Sequence, residues 1–229
     1  MLHSESLKQH FNDDYFIRNY KSNFAREEMY KAEYLKIDEL VSGSNCKVLD
    51  VGCGLGNFLD HFDAGKYDKY GIEISDYATE IAIEKNILIK TGENAYDYPD
   101  EFFDVIVFRG SLQHIPCPFT VIMKCYNLLK KNGIIIFLAT PNSNSPYYYR
   151  FKHLKFLAPE TTYLVPSDLM MSNLLKNYGF EILKINYPYK GTPYAKPFTD
   201  RLKYLLSFIG LKYSFAYPKS MMEIFAYKK

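Results

Sequence analysis

The sequence predicts a doubly wound α/β fold built on a parallel sheet. Short apolar runs rich in β-branched residues alternate with segments of helical periodicity, which is typical of βαβ units. Crossovers between parallel strands are right-handed, so helices should cover both faces of the sheet, and ligands should bind at the carboxyl ends of the strands. The expected elements are strand 47–51, helix 56–63, strand 69–74, helix 76–85, strand 87–91, strand 103–109, helix 118–131 and strand 133–140.

Length and composition fit a single domain with one core. The chain has 229 residues, is 48% hydrophobic and carries a formal net charge of +2, a balance that gives no support to nucleic-acid binding. No signal peptide and no membrane-spanning apolar run is apparent, so a cytoplasmic location is expected. The cysteines form no CxxC pair and have no histidine-rich partner cluster, so neither a metal site nor a disulfide framework is predicted; they are Cys46, Cys53, Cys117 and Cys125.

The N-terminal stretch, roughly residues 4–40, is helical in pattern. Tyr30, Tyr34 and Ile37 follow one another at steps of three and four residues, and a Ser-Gly-Ser-Asn turn at 42–45 leads into the first strand.

A glycine-rich turn follows the first strand. Gly52, Gly54 and Gly56 stand at alternate positions, and Phe58 and Phe62 then take up helical spacing. Glycine has no Cβ, so such a turn can bring backbone against a ligand, and the helix N-terminus behind it offers free N–H groups.

An acid closes the second strand. Glu73 lies roughly 20 residues after the first glycine, where dinucleotide-binding folds place the acid that holds ribose hydroxyls. A nicotinamide cofactor would favour the spacing G-x-G-x-x-G, and here the third glycine comes one position early.

The run Asp50-x-Gly52-x-Gly54-x-Gly56 resembles the first motif of class I S-adenosylmethionine-dependent methyltransferases. The resemblance implies S-adenosylmethionine as cofactor and S-adenosylhomocysteine as product. It also implies a mostly parallel seven-stranded sheet with a helical N-terminal cap and a C-terminal antiparallel hairpin, which we assign to 180–188 and 221–227. The chain would then divide into a cap (1–41), a cofactor-binding half (42–142) and a part with substrate loop, helices and closing hairpin (143–229).

The resemblance also implies which residues contact the cofactor. Asn94 aligns with the acid that usually meets the adenine edge, and Glu93 is the alternative for that role. The full set is Asp50, Gly52, Cys53, Gly54, Gly56, Glu73, Ile74, Glu93, Asn94, Ala95, Phe108 and Arg109.

The loop 109–116 would face the transferred methyl group. A hydroxyl acceptor needs a base, and neutral His114 suits that role near pH 7. The same histidine could instead brace the loop or orient the substrate. Arg109 could pair with an acidic substrate, although a local carboxylate is the favoured partner.

Candidate substrate residues lie in two places. Tyr15 and Tyr20 of the cap are expected at the mouth of the site. The long segment 143–166 mixes aromatic and basic residues, a composition that suits an anionic ligand with a ring. A solvated basic loop and a single-stranded nucleic acid site are the alternatives there. The candidates in this segment are Tyr148, Arg150 and His153.

The expected function is methyl transfer to oxygen or nitrogen of a small molecule, with a nucleotide- or phosphate-linked sugar favoured as acceptor. A quinone or lipid O-methyltransferase at a membrane surface is one alternative, and a cofactor-binding, non-catalytic partner subunit is another. The apolar segment 202–211 is expected to belong to the core or to roof the acceptor pocket, with a dimer contact or a membrane contact as alternatives. A monomer and a homodimer are both compatible with the sequence.

Overall fold

A computed structural model describes residues 7–20, 24–154, 157–211 and 215–229. Its seven strands form one sheet in the order β3-β2-β1-β4-β5-β7-β6, in which β7 runs antiparallel to both neighbours and the other pairs are parallel. The predicted mostly parallel sheet with an antiparallel hairpin is confirmed. The strands are β1 (Cys46–Val51), β2 (Tyr67–Ile72), β3 (Leu88–Lys90), β4 (Phe103–Arg109), β5 (Leu129–Pro141), β6 (Phe180–Asn186) and β7 (Met221–Lys228).

Helices cover both faces of this sheet. They are α1 (Asp13–Asn19), α2 (Phe24–Asp38), α3 (Asp76–Glu84), α4 (Pro118–Leu128), α5 (Pro146–Phe151), α6 (Asp168–Asn177) and α7 (Pro197–Leu206), and residues 7–10 are also helical. Successive strand residues point to opposite faces. Leu49 therefore belongs to one apolar cluster and its neighbour Val48 to another, which gives the sheet a core on each side.

The helix expected at 56–63 does not form. The chain makes turns after β1 and then a single 3-10 turn at Leu59–His61. Gly56 has φ +72°, outside helical geometry, and a side chain there would collide with Ile87. The helix is lost because Gly56 packs tightly against the rest of the domain.

The boundary between α4 and β5 also differs from expectation. Leu129 is buried and pairs with Phe103, so β5 begins where the helix was expected to continue. Lys130 therefore lies in a strand, where its ammonium contacts both carboxylate oxygens of Asp104 at 2.7 and 2.8 Å.

The N-terminal cap packs over the carboxyl ends of the strands. Asn12 caps α1 by accepting a hydrogen bond from the Tyr15 backbone N–H at 3.1 Å. Phe16 is buried, and a side-chain carbon at Gly54 would lie 3.3 Å from its ring. The cap thus rests directly on the glycine turn.

The exposed apolar side chains of segment 202–211 neither join the core nor line the cavity at the carboxyl ends of the strands, which corrects the favoured prediction of core or pocket roof. The segment forms the end of α7 and a 3-10 turn at Ser207–Ile209, and several of its large apolar side chains are exposed. No helix in the described ranges is long and apolar enough to cross a membrane.

Candidate functional site

A cavity of about 400 Å³ opens at the carboxyl ends of β1, β2 and β4, beneath the cap. Its floor comes from the ends of these strands and its walls from the cap and from the loop after β4. The residues around it are Leu7, Phe11, Tyr15, Phe16, Tyr20, Val51, Gly52, Gly54, Ile72, Glu73, Ile74, Gly92, Ala95, Tyr96, Arg109, Gly110, Ser111, His114, Ile115, Pro116, Cys117 and Val121.

Glu73 is fixed at the cavity wall by backbone N–H groups. Its carboxylate accepts hydrogen bonds from Gly54 at 2.8 Å, Ile74 at 2.8 Å and Ser75 at 2.9 Å. Burial raises the pKa of Glu73, and these three hydrogen bonds oppose that rise. A carboxylate has about four acceptor positions, and three are taken here, so about one remains for a ligand hydroxyl.

Asp50 is buried with one carboxylate oxygen, Oδ1, that has no hydrogen-bond partner among the described residues. Burial raises its pKa to about 7, although nearby Arg109 lowers it. Asp50 borders a small pocket of about 20 Å³ that also contacts Gly52, Tyr20 and Asn57. A cationic group in this pocket would satisfy the unpaired oxygen. The ammonium group of S-adenosylmethionine fits that requirement.

Arg109 is held by the cap. Its Nε donates to Glu33 of α2 at 2.6 Å, and its guanidinium lies 4.1 Å from the centre of the Tyr30 ring. Burial alone would lower the pKa of Arg109, but Glu33 and Tyr30 raise it above the ordinary value. Glu33 is thus the local carboxylate partner expected for this arginine, and it joins α2 to the end of β4.

His114 lines the cavity with a neutral ring. It ends the 3-10 turn Leu112–His114, and its Nδ1 lies 2.8 Å from the Thr161 carbonyl oxygen, which can only accept. Nδ1 therefore carries the proton, and Nε2, 3.2 Å from the Gln113 side-chain amide nitrogen, is the acceptor. Burial lowers the pKa of His114, so the ring is neutral at pH 7.

The adenine side of the predicted site is only partly assembled. Ala95 and Ile74 line the cavity, whereas Asn94 is exposed and is not among the lining residues. The Glu93 side chain lies outside the described part of the structure. Phe108 is fully buried in the core, where it stacks on Phe137 with ring centres 5.2 Å apart.

Two further members of the predicted set do not line the main cavity. Cys53 borders the small pocket next to Asp50. Gly56 borders neither cavity, because it packs against Ala82 and Ile87 on the other side of the turn.

The two cap tyrosines predicted as substrate residues, Tyr15 and Tyr20, do line the cavity. Two other cap residues, Phe11 and Phe16, join them and were missed at the sequence level. Phe11 packs edge-on against the His114 ring at a centroid distance of 5.3 Å. Its spacing of four residues from Tyr15, which predicts a shared helical face, was the available signal, although Phe11 lies just before the start of α1.

Tyr148, Arg150 and His153 do not line the cavity, which corrects the expectation for the 143–166 segment. Tyr147 is fully buried against Phe215, 4.9 Å away, and this contact holds α5 to the segment before β7. Tyr148 packs in the same cluster, Arg150 contacts the turn after α7, and His153 is exposed.

No group of His, Cys, Asp or Glu side chains in the described ranges could hold a metal ion. The Asp, Glu, Arg and His side chains at the two pockets are Asp50, Glu73, Arg109 and His114.

Comparison with known proteins agrees with this geometry. A family described as "Methyltransferase domain" matches residues 10–185. The chain is 30% identical over 153 residues to the ubiquinone biosynthesis O-methyltransferase of Nitrosomonas europaea, a match that covers 58% of this chain and 64% of that enzyme. It is 32% identical over 120 residues to the Pseudomonas putida enzyme of the same name, covering 49% and 51%. The chain thus spans only about half to two thirds of the length of these curated relatives.

The fold is also that of solved methyltransferases. One of them is magnesium protoporphyrin IX methyltransferase from Synechocystis, solved with S-adenosylhomocysteine bound. It has a TM-score of 0.63 against this chain at 15% sequence identity, and the match covers 97% of this chain and 98% of that one. The match to the methyltransferase family spans most of the chain and includes the glycine turn, Glu73 and His114. The chain therefore belongs to the class I S-adenosylmethionine-dependent methyltransferases.

Proposed function

We propose that this protein transfers the methyl group of S-adenosylmethionine to the hydroxyl oxygen of an aromatic acceptor. The observation that carries the proposal is the neutral ring of His114, which lines a largely apolar, aromatic cavity beside the glycine turn and whose Nε2 is the proton-accepting nitrogen. An amine acceptor needs only to be unprotonated, whereas a hydroxyl needs a base, and His114 has the protonation state of one.

The lining of the cavity near His114 favours an aromatic ring over a phosphorylated sugar. Arg109 is the only lysine or arginine among the described residues that line the cavity, and most of the other lining side chains are apolar or aromatic. The cation at the far end, Arg109, is already paired with Glu33. A phosphate would be desolvated here without a charge partner, which is costly.

The nucleotide-sugar prediction rested on the basic-aromatic segment, whose candidate residues lie away from the cavity. The names of the curated relatives, ubiquinone biosynthesis O-methyltransferases, point to oxygen as the methylated atom and to a quinone precursor as acceptor. The residues that line the cavity and the names of the curated relatives together support a hydroxylated aromatic ring as the methyl acceptor.

The chemistry assigns distinct tasks to the residues. S-adenosylmethionine, when bound, supplies a sulfonium methyl group that is already electrophilic. His114 takes the hydroxyl proton of the acceptor on Nε2, and the Thr161 carbonyl, 2.8 Å from Nδ1, stabilises the positive ring that results. The acceptor hydroxyl can replace the Gln113 amide as the partner of His114 Nε2, because that amide keeps its hydrogen bond to the Gly110 carbonyl at 2.8 Å. The cap aromatics exclude water from the reacting atoms.

The test is release of S-adenosylhomocysteine, with mass detection of a product one methyl group heavier. Dihydroxybenzoates and short-chain quinols form the main panel, and nucleotide-sugars, sugar phosphates and amines are run beside them. Turnover of a phenol supports the proposal, and turnover of a sugar in its place contradicts it. Binding of the cofactor without turnover of any acceptor would favour the non-catalytic partner subunit.

A further inference from the structure

We propose that α7 and the turn after it form a docking surface for an anionic lipid membrane. The surface consists of Phe198, Leu202, Leu205, Phe208 and Ile209 with the cations around them. This inference stands on the surface alone and does not depend on the identity of the methyl acceptor.

The first observation is an apolar stripe that faces outward. Phe198, Leu202, Leu205 and Ile209 follow one another at steps of four, three and four residues, which places them on one helical face. Their exposed fractions are 84%, 48%, 65% and 74%. A surface helix of a globular protein normally turns such a stripe toward the core, so this helix has the reverse orientation.

The reverse orientation is fixed by polar contacts on the inner side. Asp200 is buried, and its carboxylate accepts from the Lys196 backbone N–H at 2.8 Å and from the Tyr189 hydroxyl at 2.9 Å. Tyr204 stacks on Tyr217 with ring centres 4.4 Å apart. Rotation of the helix to bury its apolar stripe would break these contacts.

Arg150 joins α5 to the same surface. Its guanidinium donates to the Ser207 carbonyl at 2.9 Å and lies 4.1 Å from the centre of the Phe208 ring. Tyr149, beside it, is 81% exposed, and the Lys152 ammonium lies 4.9 Å from the Tyr149 ring centre. The basic-aromatic segment, which contributes nothing to the cavity, thus extends the apolar stripe with cations and an aromatic ring.

The charges identify the partner. Within 189–211 and 215–220 the exposed basic residues are Lys190, Lys196, Arg201 and Lys219, and the single acid is the buried Asp200. Apolar side chains surrounded by cations match a bilayer surface rich in anionic headgroups. A second copy of the chain is a poorer occupant, because a two-fold interface would bring like charges together.

The surface and the cavity emerge at the same edge of the sheet. The insertion that holds α7 leaves the end of β6 at Asn186 and returns at Met221, and α5 follows Pro141 at the end of β5. Because β7 is antiparallel to β5 and β6, all three points lie at the carboxyl edge, where the cavity opens. A docked protein would hold this edge, and not the opposite one, toward the membrane.

The experiment is flotation of the full chain with vesicles of phosphatidylcholine alone and with about 30 mol% phosphatidylglycerol added. We expect binding to the anionic vesicles, weakened by salt. Leu205→Glu should reduce partitioning by about tenfold or more, because an apolar group is replaced by a repelled charge. Arg201→Gln should reduce it about fivefold.

Leu88→Glu is the matched control, since Leu88 is similarly exposed, at 60%, but begins β3 at the opposite edge of the sheet. It should bind anionic vesicles as the unmodified protein does. Failure of the unmodified protein to float, or equal loss in both glutamate variants, overturns the proposal. So does a dimer that Leu205→Glu dissociates without any flotation. Methyl transfer to a water-soluble phenol by the Leu205→Glu variant tests the proposed function separately.

Discussion

Replacing Asp50 with asparagine should stabilise the ligand-free protein above neutral pH while weakening its binding of S-adenosylhomocysteine. The substitution keeps the shape of the side chain and removes a charge that is buried with one oxygen unpartnered among the described residues. The same charge is the group we assign to the cofactor ammonium.

The magnitude follows from the pKa of Asp50. A value of about 7, against an ordinary 3.8, corresponds to about 4 kcal/mol of instability above pH 7. Because the pKa of Asp50 is raised in the folded protein, its carboxyl group does not destabilise the fold below pH 3.8, where it is protonated in both states. Stability is lost as the pH rises from there through about 7, where the buried group ionises. The unpaired amide of the variant costs about 1–3 kcal/mol. A net gain of roughly 1–3 kcal/mol at pH 8 should therefore remain.

Urea unfolding at pH 8 and pH 5 measures this gain. The advantage of Asp50→Asn should fall by about 3 kcal/mol between the two conditions. Asp168→Asn is the control, because hydrogen bonds from Tyr187 and Asn144 lower the pKa of Asp168 despite the opposing effect of burial, and this variant should lose stability at pH 8. A pH-independent loss of stability in Asp50→Asn would refute the reasoning.

Calorimetric titration with S-adenosylhomocysteine completes the test of Asp50. Loss of a charge-assisted hydrogen bond should weaken affinity about 10- to 150-fold. An affinity unchanged by Asp50→Asn would remove Asp50 from the cofactor site, whatever the stability data show.

Other substitutions test the remaining assignments. Glu73→Ala should weaken S-adenosylhomocysteine binding about 10- to 150-fold in the same titration, and unchanged affinity would exclude the ribose role. His114→Asn should lower kcat about 10²- to 10⁴-fold without changing that affinity. Because the pKa of His114 is lowered from 6.5, the rate of the unmodified protein should fall only as the pH drops below that value, and a rate that falls near pH 8 would contradict a neutral base. Glu33→Ala should destabilise the protein by about 3–5 kcal/mol in urea unfolding, since it leaves Arg109 charged and buried, whereas a loss under 1 kcal/mol would show that water reaches the guanidinium.

The sequence predicted the features that depend on local pattern. The buried strand at 103–109 has the predicted limits, because its apolar run is bounded by charged residues. Ser167 caps α6 by accepting from the Met170 backbone N–H at 3.1 Å. The glycine turn, Glu73 and His114 lie around one cavity because parallel strands all end at the same edge of the sheet.

What the sequence could not predict depends on contacts between distant residues. Glu33 pairs with Arg109 across 76 positions, and no local pattern marks the partner of either charge. The sequence marks Tyr148 as a ligand-binding candidate, but its neighbour Tyr147 is buried against Phe215, a residue that only the fold brings near, and this packing holds α5 away from the cavity lining. Gly56 has a left-handed backbone conformation and packs on Ile87 where a helix was expected to begin, which the periodicity of Phe58 and Phe62 does not reveal.

The order of the strands in the sheet determines when β5 and β6 can be paired during synthesis. β6 pairs only with β7 among the described strands, and β7 lies between β6 and β5 although it is made last. A ribosome adding about 5–20 residues per second needs roughly 2–8 s to pass from the end of β6 to the end of β7. Throughout that interval Ile136 and Phe137 of β5 have no neighbour on one side. The nascent chain therefore exposes an adhesive strand edge for seconds, and a chaperone that covers such edges should raise its yield of folded protein.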